Sequence, residues 1–243
     1  MPAIDKTVVV TGGGTGIGAG CAIALAHEGF RVAIAGRREE KLKEVAATFE
    51  GEPPILTHAC DVGDRDSVAQ LFEWANRELG RVDILISSAG VNVQKRTMEE
   101  LSPDDWDKMM RINATGAYNC MHAALPQMRE RQDGLIINIS SIAGIRASVL
   151  GGVGYSASKF AMSSLGLTVG VEVKDQGIRI TNVYPGEVET PLLDDRPNPV
   201  SAEHRARILQ PEDVADVVTT IAKLPPRANV SEVVIKPTTQ MFV

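Results

Sequence analysis

The chain has 243 residues, of which 44% are hydrophobic and 23% charged, and its formal net charge is −6. This length and composition are typical of one globular α/β domain with a sizeable buried core. The negative net charge argues against a nucleic-acid-binding surface, and the sequence has no apolar run long enough to span a membrane.

Cysteine and histidine usage indicates a reducing compartment and no metal site. Cys21, Cys60 and Cys120 are odd in number and far apart, so they match neither a disulfide framework nor a zinc site. The four histidines lack the spacing of metal ligands. Because the N-terminus has no signal-peptide pattern, we expect a cytoplasmic protein with reduced, mostly buried thiols.

The first predicted elements are a strand, a glycine-rich turn and a helix. Residues 7–10 form a β-branched apolar run, residues 11–18 are rich in glycine, and a helical pattern runs from Ala19 to Glu28. Glycines allow the backbone to approach a pyrophosphate, and the helix N-terminus offers free N–H groups to it. The alternative is a turn that only joins two elements, which its position after an N-terminal strand disfavours.

Six more predicted strands alternate with helices along the rest of the chain. They cover residues 31–35, 54–60, 83–87, 134–139, 179–183 and 233–235. One helix is capped by Asp64 and ends at Gly80. Residues 187–209 are polar and proline-rich, and we predict a mobile segment there that covers the substrate. The alternation predicts a single-domain α/β Rossmann fold over residues 1–243, a doubly wound seven-stranded parallel sheet with helices on both faces.

Tyr155 and Lys159 carry the clearest chemical implication. On a helix, a spacing of four residues places both side chains on one face. An ammonium beside a phenol favours the phenolate, so we expect the pKa of Tyr155 to lie below its usual value of about 10. Such a group can donate and accept protons near neutral pH. The alternative is an ordinary pair on a helix surface.

Several motifs follow the predicted strand ends in a fixed order, where ligands of such sheets bind. They are Thr11-Gly12-x-x-x-Gly16-Ile17-Gly18, Asp61-Val62, Ala89-Gly90, Asn113, Ser141, Tyr155-x-x-x-Lys159 and Pro185-Gly186-x-x-x-Thr190. In this order and spacing the chain resembles the classical short-chain dehydrogenase/reductases over essentially its whole length.

The resemblance implies an oxidoreductase that transfers a hydride between a nicotinamide cofactor and the carbon of a secondary alcohol or carbonyl. It implies that Ser141 hydrogen-bonds the substrate oxygen and that Tyr155 moves the proton. Lys159 would bind the nicotinamide ribose and depress the pKa of Tyr155, and Asn113 would anchor a water that links Lys159 to solvent. The residues expected at the cofactor are Gly12, Gly14, Thr15, Gly16, Ile17, Gly18, Arg37, Arg38, Asp61, Val62, Ala89, Gly90, Tyr155, Lys159, Pro185, Gly186, Val188 and Thr190.

The chain departs from the family pattern at two places. Ser87-Ser88 stands where the family usually has Asn-Asn, and serine hydroxyls are shorter than amides, which puts the bracing of that strand in doubt. The stretch from Ser141 to Tyr155 is one residue longer than in many relatives. Ser140 is the rival of Ser141, which we prefer because the register Ser141-x-x-Gly144 is usual for the family.

The end of the second strand predicts the cofactor. An acidic residue there would bind both ribose hydroxyls and select NAD. Here Gly36 is followed by Arg37 and Arg38, whose guanidinium groups match phosphate oxygens in charge and geometry. We therefore predict NADP over NAD, with Arg37 as the main contact. The alternative, two solvated charges that open the next helix, places cations against the helix dipole.

The predicted partners are a small-molecule alcohol, ketone or 3-hydroxy acid and other copies of the chain. Residues 230–238 are similar to a subgroup that oxidises serine and short 3-hydroxy acids, although a shared closing strand explains them as well. The family resemblance implies a homotetramer. A non-catalytic dinucleotide sensor or scaffold is the alternative function, because a fold does not fix a function. A sugar-nucleotide epimerase is disfavoured, because the chain lacks the length for an added substrate domain.

Overall fold

Seven strands form one parallel sheet in the computed structural model, which describes residues 5–241. The strands are β1 (Thr7–Thr11), β2 (Arg31–Gly36), β3 (Leu56–Ala59), β4 (Ile84–Ser87), β5 (Gly134–Ile139), β6 (Ile178–Pro185) and β7 (Glu232–Ile235). Their order in the sheet is β3-β2-β1-β4-β5-β6-β7. The strand order therefore reverses between β1 and β4, which is where open parallel sheets bind ligands.

Eight α-helices connect the strands in the described part of the chain. They are α1 (Gly16–His27), α2 (Glu39–Ala47), α3 (Arg65–Leu79), α4 (Pro103–Met109), α5 (Gly116–Arg131), α6 (Val153–Glu172), α7 (Ala202–Arg205) and α8 (Pro211–Lys223). A π-helical turn, Met110–Thr115, joins α4 to α5 without a break. Short 3₁₀ turns cover Ile142–Gly144, Lys174–Gln176 and Pro191–Asp195.

The core lies on both faces of the sheet, because successive side chains of a strand point to opposite faces. Val8 and Val10 of β1 pack in one apolar layer with residues of α1 and α8. Val9 packs in the other layer, with residues of α3 and α5. Since both faces are covered, every residue of β1 is buried, and this explains why the strand reads as a continuous apolar run. The predicted fold is confirmed.

Several predicted details are also observed, and the boundaries shift by a few residues. The Asp64 carboxylate caps α3 by accepting hydrogen bonds from the N–H groups of Asp66 and Ser67, at 2.9 and 3.0 Å. Helix α1 begins at Gly16 rather than Ala19, so the end of the glycine-rich turn already forms its first helical turn. The three cysteines are free and buried, and burial raises the pKa of the Cys21 thiol to about 12.

Residues 187–209 form an ordered connection between β6 and α8 that contains a 3₁₀ turn and α7. Its two ends pair through backbone hydrogen bonds between Glu189 and Leu209, 2.7 Å, and between Leu209 and Glu187, 3.1 Å. Arg205 binds the carboxylates of Glu189 and Asp194, each at 2.6 Å. The predicted mobility of this segment stays a prediction.

No helix in residues 5–241 has the length and apolar character needed to cross a membrane.

Candidate active site

A cavity of about 900 Å³ opens at the carboxyl ends of β1, β2, β3 and β4. This volume is in the range of sites that bury a cofactor-sized molecule. Most residues predicted to bind the cofactor line this cavity. They are Gly12, Gly14, Thr15, Gly16, Ile17, Arg37, Arg38, Asp61, Val62, Ala89, Gly90, Tyr155, Lys159 and Thr190.

The glycine-rich turn fits a pyrophosphate. Gly12 has a φ of +70°, and a Cβ there would lie 2.6 Å from the backbone nitrogen of Ala89, so only glycine fits. The Thr15 side chain does not cap α1, which leaves the first N–H groups of this helix free to bind an anion. Gly18 was predicted to bind the cofactor but does not line the cavity. It packs against the turn, where a Cβ would collide with the carbonyl oxygen of Gly12.

Three cations line one end of the large cavity, next to the open end of β2. Arg37 and Arg38 were predicted there, and Lys41 was missed. Lys41 stands four residues after Arg37, and this helical spacing is the signal that could have found it. A Cβ added to Gly36 would meet only one atom, Cδ2 of Leu42, at 3.6 Å. The site therefore has room and positive charge for a phosphate on the ribose.

Asp61, just after the end of β3, is a carboxylate in the wall of the same cavity. Its oxygens accept hydrogen bonds from the Gly63 N–H at 2.9 Å and from Nη1 of Arg111 at 3.1 Å. Although burial raises the pKa of Asp61, these bonds and the charges of Arg111 and Arg37 hold it below its usual value. An ionised carboxylate is a hydrogen-bond acceptor at pH 7, as recognition of an amino group requires.

Helix α6 brings Tyr155 and Lys159 into the wall of the large cavity. Lys159 is 4% exposed, and its Nζ donates a hydrogen bond to the Ile139 carbonyl at the end of β5, 2.9 Å away. Burial lowers the pKa of Lys159 to about 8. The ammonium lies 5.7 Å from the centre of the Tyr155 ring. The predicted shared face of the two side chains is therefore observed.

A second cavity of about 160 Å³ adjoins the first, and Tyr155 lines both. Ser141 lines the small cavity and hydrogen-bonds Tyr155 through its side chain. The rival Ser140 is buried, and its Oγ binds the Lys159 carbonyl at 3.2 Å and Oγ of Ser163 at 2.9 Å. This geometry favours Ser141 as the serine next to a substrate. Pro185, Gly186 and Val188 line the small cavity, and Thr190 lines both.

The expected low pKa of Tyr155 is wrong for this structure. Burial raises the pKa of Tyr155 above its usual value, while the hydrogen bond with Ser141 and the charge of Arg96 act in the opposite direction. The Lys159 ammonium hydrogen-bonds the Ile139 carbonyl and not the phenol oxygen. The cation that favours the phenolate here is Arg96, which the sequence did not single out.

Asn113 lies in the π-helical turn and is fully buried. Its Oδ1 accepts a hydrogen bond from the Val91 N–H at 2.8 Å. Its Nδ2 donates to the Val91 carbonyl and to Oγ of Ser158, each at 2.9 Å. Asn113 lines neither cavity. Its side chain ties the loop after β4 to α6, the helix that carries Tyr155 and Lys159.

The doubt about Ser87 and Ser88 is justified for one of the two hydroxyls. Oγ of Ser87 is buried and has no hydrogen-bond partner among the described residues. Two other hydrogen bonds brace the strand end instead. The Ser88 N–H donates to the Thr11 carbonyl at 3.2 Å, and Oγ1 of Thr11 donates to the Ile86 carbonyl at 3.4 Å.

Within residues 5–241 there is no group of three or more His, Cys, Asp or Glu residues that could hold a metal ion.

Comparisons with known proteins agree with this geometry. The family model for short chain dehydrogenases matches residues 6–200. An uncharacterized oxidoreductase of Staphylococcus saprophyticus is 35% identical over 236 residues, covering 96% of this chain and 97% of the relative. The alcohol dehydrogenase of Thermococcus sibiricus, complexed with 5-hydroxy-NADP, superposes with a TM-score of 0.87 at 28% identity, covering 97% of this chain and 98% of that one.

A second solved structure is the closed form of serine dehydrogenase with NADP+, which superposes with a TM-score of 0.89 at 28% identity and covers 97% of this chain and 96% of that one. The family model covers well over half of the sequence, and the relatives align over nearly all of it. The chain therefore belongs to the short-chain dehydrogenase family, and it is a nicotinamide-dependent oxidoreductase.

Proposed function

We propose that this enzyme interconverts secondary alcohols and carbonyl compounds with NADP(H), using Tyr155 as the general acid and base. The observation that carries the proposal is the position of Tyr155, which lines both cavities. Lys159 accompanies it on the side of the large cavity, and Ser141 hydrogen-bonds it on the side of the small one. A proton donor at this junction can reach a substrate while the dinucleotide occupies the larger space.

Each residue of the site has a separate role in the reaction. The bound nicotinamide supplies or accepts the hydride. The Ser141 hydroxyl holds the substrate oxygen. The Tyr155 phenol donates its proton to that oxygen during reduction and becomes a phenolate, and the phenolate accepts the proton of the alcohol during oxidation. The raised pKa of Tyr155 keeps the phenol protonated and ready to donate. Lys159 binds the nicotinamide ribose, and Asn113 anchors a water that links Lys159 to solvent.

NADP is the proposed cofactor, because three cations surround the position where an NAD enzyme has a carboxylate. Arg37, Arg38 and Lys41 line that end of the cavity, and Gly36 contributes no side chain to repel a phosphate. Structural neighbours that were solved with NADP or an NADP derivative support this choice. Asp61 and Val62 hold the adenine, and Ala89 and Gly90 pass beside its ribose.

We also propose the wider setting of the reaction. The substrate is a small alcohol, ketone or 3-hydroxy acid, and the similarity to serine dehydrogenase supports the last class. Residues 187–209 close over the bound substrate.

The enzyme is a homotetramer, since apolar side chains such as Tyr118, Phe160 and Val171 are exposed on α5 and α6 of the single chain. Three free, buried thiols suit the cytoplasm.

A substrate screen separates an enzyme from a dinucleotide sensor on the same fold. Ketones, aldehydes, secondary alcohols and 3-hydroxy acids are offered with NADPH or NADP+, and the absorbance of the reduced cofactor is followed. We expect turnover of at least one class. Tight binding of NADP without turnover of any compound would favour the sensor and contradict the proposal.

A further inference from the structure

The small cavity carries an excess of positive charge. Three charged side chains line it, and they are Arg96, Glu187 and Arg196. Nη2 of Arg196 pairs with Oε2 of Glu187 at 3.0 Å, and these side chains are only 15% and 17% exposed. Arg96 is 5% exposed and is the second cation in a space that holds one carboxylate. A buried charge that forms no ion pair is unfavourable, and an anionic ligand would stabilise it.

Arg96 has no carboxylate within ion-pair distance among residues 5–241. Its Nε donates to the Val93 carbonyl at 2.8 Å, its Nη1 to the Leu150 carbonyl at 3.0 Å, and its Nη2 to the Asp195 carbonyl. Carbonyl oxygens satisfy hydrogen bonds but do not neutralise a charge. These bonds use three of the five N–H hydrogens of the guanidinium, so two remain for a ligand.

The carboxylate of Glu187 is already paired with Arg196, so it does not offset the charge of Arg96 as well. Besides Arg196, Oε2 of Glu187 contacts Nε2 of His204 at 2.7 Å. Burial raises the pKa of Glu187, but these neighbours hold it below its usual value, so this carboxylate is ionised. Arg96 and Arg196 line the same small cavity. Burial and the charge of Arg196 lower the pKa of Arg96, while the charges of Asp195 and Tyr155 act in the opposite direction. An anion in this cavity would be attracted by both guanidinium groups.

We propose that Arg96 and Arg196 form an anion subsite and that the substrate is a short hydroxy or oxo acid whose carboxylate binds there. This inference rests on the proposed function, because it places the carboxylate beside the carbon–oxygen group that faces Tyr155. Arg96, Arg196 and Tyr155 line the same small cavity, so one small molecule can place its carboxylate at the arginines and its reacting oxygen at the phenol. A cavity of about 160 Å³ is below the roughly 300–1,000 Å³ of drug-sized sites, which selects short acids.

Arg96 could instead serve only to tie three loops together through its carbonyl partners. If Arg96 only braces the loops, the affinity for a ligand does not depend on the ligand's charge. If Arg96 forms an anion subsite, the affinity does depend on that charge. A matched pair of probes with and without the charge therefore separates the two. 3-Hydroxybutyrate and methyl 3-hydroxybutyrate share the reacting alcohol and differ in the carboxylate.

The test measures the Kd of each probe for the enzyme–NADP+ complex by calorimetry, in wild type, Arg96→Gln and Arg196→Gln. The matched control is Arg207→Gln, since Arg207 is exposed, pairs with Glu203 and lines neither cavity. We expect wild type to bind the acid at least tenfold more tightly than the ester. Each cavity variant should weaken acid binding by roughly 10–100-fold, the effect of losing a hydrogen bond to a charged group, with little change for the ester.

Equal binding of acid and ester by wild type, or equal losses for both probes in the two cavity variants, would overturn the subsite. If Arg96→Gln does not fold, the Arg196→Gln result decides alone. Turnover distinguishes this failure from failure of the proposed function. NADP-dependent oxidation of uncharged alcohols without acid preference overturns the subsite only. Selective acid binding without turnover of any compound supports the subsite and contradicts the proposed reaction.

Discussion

Gly36 leaves the end of β2 open where Arg37, Arg38 and Lys41 line the cofactor cavity. A side chain fits at this position, because the nearest atom to an added Cβ is Cδ2 of Leu42 at 3.6 Å. The backbone there also needs no left-handed conformation, since Gly36 is not among the glycines with positive φ. Cofactor choice can therefore be changed at this position without disturbing the fold.

We expect the double variant Gly36→Asp with Arg37→Ala to prefer NAD. The new carboxylate repels a 2′-phosphate, and the lost guanidinium removes a charged hydrogen bond, which together shift the ratio of kcat/KM by at least roughly 10–100-fold. Steady-state kinetics with both cofactors measures the ratio. Lys43→Ala is the control, because Lys43 is exposed on α2 and pairs with Glu39. A wild type that prefers NAD, or an unchanged ratio in the double variant, contradicts the assignment.

Lys159 is a buried cation whose charge destabilises the cofactor-free fold. Its pKa falls from 10.5 to about 8, so the folded protein loses this proton at lower pH than the unfolded chain does. Between these pKa values the unfolded state binds more protons, and stability rises with pH. The unfolding free energy of wild type relative to Lys159→Met should therefore increase by about 1 kcal/mol between pH 7 and pH 9. Chemical denaturation at both pH values checks this, and a difference that is constant or falls with pH would be inconsistent with it.

At the scale of elements, residues 187–209 combine side-chain ion pairs within the segment with two buried apolar side chains, Leu193 and Ile208. The stem of this segment is fixed by the paired backbone of Val188 and Leu209, whereas its outer part depends on Arg205, whose partly exposed guanidinium binds the carboxylates of Glu189 and Asp194. Exposed ion pairs contribute little to stability. The outer part should therefore be in exchange between open and closed forms.

We expect cofactor and substrate together to slow amide hydrogen exchange in residues 187–209 by at least roughly tenfold. Mass spectrometry of the free and ternary forms measures this. Helix α3 serves as the internal control, because it lies in the apolar layer with Val9 and Leu85 and should not change. Equal protection of the segment in both forms would argue against closure.

Elements with a strong local pattern could be predicted from the sequence. The strand Gly134–Ile139 is observed at its predicted bounds, and Asp64 caps its helix as expected. Contacts set by packing could not be predicted. Nothing in the spacing of Tyr155 and Lys159 reveals that the ammonium binds the Ile139 carbonyl, and hydrophobic periodicity does not reveal the π-helical turn at Asn113. Arg96 lies in an irregular loop, where no pattern connects it to Arg196.

For the whole molecule, the apolar surface predicts assembly. Trp106, Tyr118, Phe160, Leu167 and Val171 are large, and each is between 39% and 68% exposed on the single chain. They lie on α4, α5 and α6, where α6 contacts both other helices, and large exposed apolar side chains on adjoining helices indicate an interface. We expect light scattering to give the mass of a homotetramer and Phe160→Asp to lower it. A wild-type mass of one chain at working concentration would refute the assembly.

The central claim is that Tyr155 transfers the proton, and Tyr155→Phe tests it most directly. The substitution keeps the ring and removes the transferable proton, so kcat should fall by roughly 10²–10⁴-fold. The Kd of NADP+ should stay within about threefold, since the phenol oxygen contributes little to cofactor affinity. Tyr118→Phe is the control, because Tyr118 is exposed on α5 and lines neither cavity. Wild-type kcat in Tyr155→Phe on a good substrate would contradict the account.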